Sequence, residues 1–414
     1  MRLKALISLS VMICASATAF AAENIKDMFA DGSLRGEVRI LSFERDFDKN
    51  TPDRKDTAAG GLLYYHTAPF KGISFGAAFA TVNGVFNDDK DAVYSILARD
   101  EEGNHRNVTR LQEYFIQGEW IDTVIKYGAQ EVRTPMLETH DLRMLPRTYK
   151  GLSIVNNSFE NLTLSAYYLT DAMGWTDEEF ISLSKSVADE PGGAAAISED
   201  SHMSIFGVSY NIPTEIVKAN VQGWFYTMEN VYRETFFKAS LSKKLGQTNV
   251  YFNPSYFSQK SQGDELNGEA DTDQYGFNTG VMFKGFNVTG FYGKTGDDGL
   301  VLPWGDEKVV IQQVLAAGRA EEEVYAARVA YDFSQIGLKG LSAYIFHAEY
   351  DVPESTGKDQ SETDYSVQYA FSGTLDGLSL RARYADIDVK DGGEGYNDIR
   401  FYAVYKFALG KKEK

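Results

Sequence analysis

Apolar and polar residues alternate with period two in one segment after another along this chain. Ile73, Phe75, Ala77 and Phe79 share one face, with Ser74, Gly76 and Ala78 opposite. Leu162, Leu164, Ala166 and Tyr168 alternate with Thr163, Ser165 and Tyr167, and Ile399, Phe401, Ala403, Tyr405 and Phe407 with Asp398, Arg400, Tyr402 and Lys406. Successive side chains of a strand point to opposite faces, so each segment reads as a strand with one apolar side. The pattern places strands near 33–44, 56–68, 72–83, 108–120, 122–130, 150–157, 160–171, 201–211, 216–228, 231–242, 247–259, 272–283, 286–294, 322–333, 339–351, 361–373, 377–387 and 396–407, which is 18 in all.

The connections sort by length. Five share one form: apolar, charged, Gly or Asn, apolar, small polar. They are Phe70–Ser74, Phe159–Thr163, Phe283–Asn287, Leu338–Ser342 and Leu375–Ser379. Gly and Asn accept the positive φ of tight hairpins, so each reads as a turn opening a strand. All five fall on even-numbered connections, which are short. The odd-numbered ones are long, among them Arg45–Lys55, Gly84–Asn107, Glu131–Tyr149, Ala172–Asp200, Lys260–Asp271 and Thr295–Glu321; Glu229–Asn230 is the short exception. An even number of alternating strands with long loops on one rim and short turns on the other defines an expectation. The fold is all-β, a transmembrane antiparallel up-and-down β-barrel with long extracellular loops and short periplasmic turns.

Composition narrows this further. The chain has 25 Tyr and 26 Phe but only nine Pro. After the first residues no run approaches the ~18 apolar residues of a spanning helix, and the mean hydropathy of -0.32 agrees. A formal charge of -18 argues against nucleic acid as a partner. Arg2 and Lys4, the apolar run Leu6–Ile13 and Ala19-Phe20-Ala21 read as a cleavable signal peptide over residues 1–21, followed by one barrel domain at 22–414. Cleavage would remove Cys14, the sole cysteine, so disulfides hold nothing together.

Because the apolar set must face lipid, the charged set faces the lumen. An arginine on the lipid side at mid-membrane would cost on the order of 2–4 kcal/mol. This register turns Arg39, Lys126, Arg328, Arg381, Arg383 and Arg400 inward. In a channel comparable to a Debye length of ~8 Å, such charges act on every passing ion. The competing reading is a polar wall in which these cations pair with acids such as Glu37, Asp332 and Asp398. The third outside connection carries Met136, Leu137, Leu142, Met144 and Leu145, bounded by Pro135 and Pro146. So apolar a loop is expected to fold into the lumen, placing Arg133, Arg143 and Arg147 at a constriction with Asp141 opposed; a packed surface lid is the alternative.

The opening strand Gly36–Phe47, the loop Thr134-Pro-Met-Leu…Asp141-Leu-Arg-Met-Leu-Pro-Arg-Thr148 and the alternating last strand resemble the OprD-type outer-membrane porins, the outer-membrane carboxylate channels. The resemblance extends over the whole chain after the signal. It implies an 18-stranded monomeric barrel, an inward third loop and a ladder of wall arginines guiding carboxylates, carried here onto Arg328, Arg381, Arg383 and Arg400. One departure is the tail: Ala408–Lys414 follows Phe407, whereas such barrels end on an aromatic residue.

The expected function is an outer-membrane porin, a passive channel for small hydrophilic solutes, with a preference for carboxylates as the finer expectation. The alternative is a structural or adhesive barrel without conductance. No enzyme is expected: Gly72-Ile-Ser-Phe-Gly76 matches a hydrolase elbow but lies inside a strand with no following helix. No cofactor or metal is expected either, since His66, His105, His140, His202 and His347 lack metal-ligand spacing. Acidic clusters such as Asp88-Asp89 and Glu321-Glu322-Glu323 read as a solvated outer face, or as carboxylates bridged by divalent cations to lipopolysaccharide. The expected partners are outer-membrane lipid, lipopolysaccharide and small solutes, with the chain a monomer or a loose homotrimer.

Overall fold

The computed structural model describes residues 22–409 except 86–95, 140, 189–199, 302–304 and 306. The signal segment, Asp88-Asp89, His140 and the tail beyond Leu409 lie outside the described residues. The strands close into an antiparallel barrel of 18. They are β1 (Ser33–Phe47), β2 (Arg54–His66), β3 (Ile73–Gly84), β4 (Val108–Trp120), β5 (Thr123–Gln130), β6 (Thr148–Phe159), β7 (Leu162–Met173), β8 (Met203–Ile212) and β9 (Lys218–Met228). Then come β10 (Tyr232–Leu245), β11 (Thr248–Ser261), β12 (Asp271–Phe283), β13 (Phe286–Thr295), β14 (Glu323–Asp332), β15 (Leu341–Asp351), β16 (Gln360–Ala370), β17 (Leu378–Val389) and β18 (Tyr396–Leu409). Each pairs with its sequence neighbour, and β1 closes the ring by pairing with both β2 and β18, Val38 standing opposite Gly61 on one side and Tyr405 on the other. Closure leaves the barrel itself without an open edge, as a membrane requires.

The two faces differ as the alternation demands. Val38, Phe79, Phe206 and Val329 are exposed outward, whereas Arg39, Asp364, Asp398 and Arg400 are buried on the inner face. Four of the five repeated turns take two forms. Lys71-Gly72 and Lys284-Gly285 both have positive φ at each central residue, the mirror-image hairpin geometry that matches strand twist. A Cβ on Gly72 would also come within 2.7 Å of the Glu119 carbonyl, so only glycine fits. The motifs at Leu338 and Leu375 are not simple hairpins. Each is joined to a 3-10 turn, Phe333–Ile336 and Gly373–Leu375, the first capped by Asp332.

One bulge redirects side chains within β4. Between β3 and β4 the register shifts at Ala78/Phe79, leaving Gln112 without a strand partner. Parity then resets, so Arg110, Gln112 and Glu113 are all buried while Leu111 and Tyr114 face outward. On the short-turn rim, helix α1 (Ile25–Ala30) is capped by Asn24 and packs Met28 against Ala22 and Ala68.

Candidate functional site

Residues 131–147 connect β5 to β6 and pack against inner-face side chains. Thr134–Leu137 forms a turn around Pro135, and the Met136 N–H donates to the Tyr226 hydroxyl of β9 at 3.1 Å. Met136 and Leu137 join an apolar cluster with Val132, Tyr149, Tyr226 and Phe236, while Met144 and Leu145 join one with Leu41, Phe43, Leu62 and Val82. Gly60 makes room for this: a Cβ there would lie 3.1 Å from Met144. Polar ties complete the seat. Arg39 of β1 forks onto both oxygens of Asp141, at 2.5 and 2.8 Å, and donates to the Arg143 carbonyl at 3.0 Å. It also pairs with Glu37.

The cations of this loop are placed differently from one another. Arg133 pairs with Glu131 at 3.1 Å and Glu138 at 3.4 Å. Arg147 is buried, its guanidinium 4.1 Å from the centre of the Trp175 ring. Arg143 lies between the rings of Trp175 and Phe43, at 5.0 and 5.2 Å. Burial and the neighbouring Arg400 push the Arg143 guanidinium down to about 9, so it keeps its charge at neutral pH.

Arg400, whose guanidinium is 4.7 Å from the centre of the same Phe43 ring, begins a row of inner-face arginines. It stands directly across from Arg383 of β17. Arg381 follows two residues along β17, donating to Ser366 Oγ at 3.2 Å and to the Tyr344 hydroxyl at 3.3 Å. Tyr344 offers its ring face to Arg328 at 4.1 Å. Five guanidiniums thus run from Arg143 through Arg400, Arg383 and Arg381 to Arg328. Their neutralisation is uneven. Arg400 donates to Asp398 at 2.5 Å, and Asp398 also holds Arg45 at 2.6 Å. Among the described residues, Arg383 reaches its nearest acid, Asp364, only at 3.9 Å. Lys126 lies apart, with its ammonium 4.2 Å over Phe115. Of the acids weighed as partners, Glu37 and Asp398 do pair with Arg39 and Arg400, while Asp332 caps a turn.

A second long connection also reaches the inner face, although its position in the sequence suggests only an outside loop. In residues 296–322, Val310 and Ala317 pack on Phe346, Ala348 and Tyr350. Glu362 accepts the N–H groups of Val314 and Leu315 at 2.9 and 2.6 Å, and Asp364 accepts that of Gln313 at 3.1 Å. Gln313 also donates to the Asp398 carboxylate at 2.7 Å. These bonds occupy the acids nearest Arg383. The signal is present as Val309-Val310-Ile311 and Val314-Leu315-Ala316-Ala317, the same excess of apolar residues that marks the third loop. Trp175 and Tyr344 carry no comparable signal.

A closed barrel with basic groups on its inner wall defines a channel-forming outer-membrane protein. The chain belongs to the OprD family of outer-membrane porins, whose family profile matches residues 26–409. It is 23% identical over 303 residues to the porin-like protein GalP of Pseudomonas putida, covering 69% of each chain. Among solved structures, OpdK of Pseudomonas aeruginosa with vanillate superposes with a TM-score of 0.82 at 18% identity, over 92% of this chain and 100% of that one. OccAB3 of Acinetobacter baumannii gives 0.81 at 18% identity, again over 92% and 100%.

Proposed function

We propose that this porin passes small hydrophilic solutes passively and favours those bearing a carboxylate. Residues 131–147 narrow the bore, and the arginine row supplies successive sites at which an anionic group exchanges water for guanidinium hydrogen bonds. Such sites lower the barrier only if each is weak enough to release its ion. The incomplete neutralisation of Arg383 is the observation that carries this reading. Arg381 and Arg328, held among the described residues by hydroxyls and a ring rather than by acids, extend it. Arg39 and Arg133 act as anchors of the loop rather than as rungs, and Lys126 adds positive potential elsewhere on the wall. OpdK, whose structure contains vanillate, an aromatic carboxylate, is in keeping with this class of solute.

Uptake of a carboxylate and of a neutral solute of equal size into liposomes holding the chain tests the preference. The carboxylate should enter faster, and Arg381→Ala/Arg383→Ala should remove the difference. Equal rates for the unaltered chain would overturn it. The same reading assigns cleavage after Ala21, which would leave Ala22 at the short-turn rim beside the Pro69 carbonyl it already meets at 2.8 Å. The lipid-facing girdle would contact outer-membrane lipid and lipopolysaccharide, with the barrel a monomer or a loose homotrimer. No catalysis is part of the proposal. The competing reading, an adhesive or structural barrel, predicts a silent bilayer.

A further inference from the structure

Arg110 faces inward but is no rung. It is 4% exposed and spends its donors largely on backbone carbonyls. Nη1 donates to the Gly174 carbonyl at 2.7 Å and also to that of Asp177, and Nη2 donates to the Pro146 carbonyl at 3.1 Å. Nε donates to Gln112 Oε1 at 2.7 Å, and Gln112 returns to the same Pro146 carbonyl through Nε2 at 2.7 Å. The β4 bulge makes this possible by turning Gln112 inward beside Arg110. One strand thereby grips two loops. A planar fork with five N–H groups can do this where a lysine ammonium cannot span the carbonyls.

The gripped segments bracket one side chain. Gly174 and Asp177 are the ends of a turn that Asp177 Oδ2 closes on the Gly174 N–H at 2.6 Å, and Trp175 lies within it. Trp175 in turn lies against both Arg147 and Arg143, and Pro146 directly precedes Arg147.

We infer that Arg110 is a positioning residue that sets the aperture and ion selectivity of the channel by clamping Pro146 and the Gly174–Asp177 turn, so that Trp175 holds the guanidiniums of Arg143 and Arg147 in place. This rests on the channel reading but is independent of any preference for carboxylates. A residue that merely stabilises the barrel would lower its unfolding temperature and leave conduction unaltered.

The test uses the full chain in planar bilayers under a KCl gradient, unaltered and as Arg110→Met, Trp175→Leu and the double variant, each first shown to be folded. Arg110→Met should raise single-channel conductance and shift the reversal potential toward zero. Trp175→Leu should do the same, and the double variant should add little. Arg110→Lys should recover only part of the unaltered behaviour. Unaltered conductance and reversal potential in folded Arg110→Met, or fully additive effects, would overturn the inference. Should Arg110→Met fail to assemble, Trp175→Leu and Asp177→Ala decide it: unaltered conduction in both counts against the clamp. A silent unaltered chain would overturn the channel reading itself, and the aperture role with it.

Discussion

Arg383 and Arg400 stand opposite each other on adjacent strands, yet among the described residues Arg400 lies 2.5 Å from a carboxylate and Arg383 no closer than 3.9 Å. Two like charges side by side on a buried wall are costly unless neutralised. Here the neutralisation falls on Arg400, through Asp398. Arg383→Ala should therefore move the reversal potential further toward cation preference than Arg400→Ala does. Arg400→Ala should instead act mainly on stability, because it leaves Asp398 with Arg45 and Gln313 alone. Comparing both readouts for the two variants checks this division.

The Arg39–Asp141 fork ties the third loop to the first strand. Asp141→Asn removes the charge and one acceptor while Glu37 still holds Arg39. The expected loss is about 1.5–3 kcal/mol, that of a hydrogen bond to a charged group. Thermal unfolding, followed by the gel shift of folded barrels, measures it. A loosened loop should also make the open channel noisier.

Val329 faces lipid and Ala330 faces the lumen. Val329→Arg should destabilise the barrel by about 2–4 kcal/mol if it lies near the midplane. Ala330→Arg should leave stability nearly unaltered and increase anion preference. Equal effects on stability would contradict this assignment of the faces, and a larger loss for Ala330→Arg would mean that they are reversed.

On the outer rim, Glu394 accepts the N–H groups of Lys49, Asn50 and Thr51 at 3.0, 2.5 and 3.1 Å, and the Thr51 hydroxyl at 2.5 Å. The bond from the Thr51 hydroxyl and those from the backbone hold its carboxyl down, to about 2 from an ordinary 4.5. A depressed folded value means the tie contributes fully above pH 4.5 and is lost as pH falls through about 2. The protection of the Asn50 and Thr51 amides, taken relative to their intrinsic exchange at each pH, should fall across that window, and Glu394→Gln should abolish the step.

The strands are legible because the membrane enforces period two over the full length of each. All 18 lie within three residues of the positions read from alternation. The repeated turns are legible where Lys-Gly takes positive φ at both positions, and less so at Leu338 and Leu375, where a 3-10 turn lengthens the link. The bulge at Gln112 is hidden, since Arg110-Leu-Gln-Glu-Tyr still looks like an alternating strand after a one-residue slip. Which arginines are neutralised is also out of reach. That depends on Glu362, Asp364 and Asp398 meeting a loop 47 to 85 residues away in sequence.

Whether the arginine row acts on permeating ions is read from the reversal potential of Arg381→Ala/Arg383→Ala against the unaltered chain, in planar bilayers under a KCl gradient. The expected result is a shift toward cation preference, with conductance retained. An unaltered reversal potential in the folded, conducting double variant would contradict it.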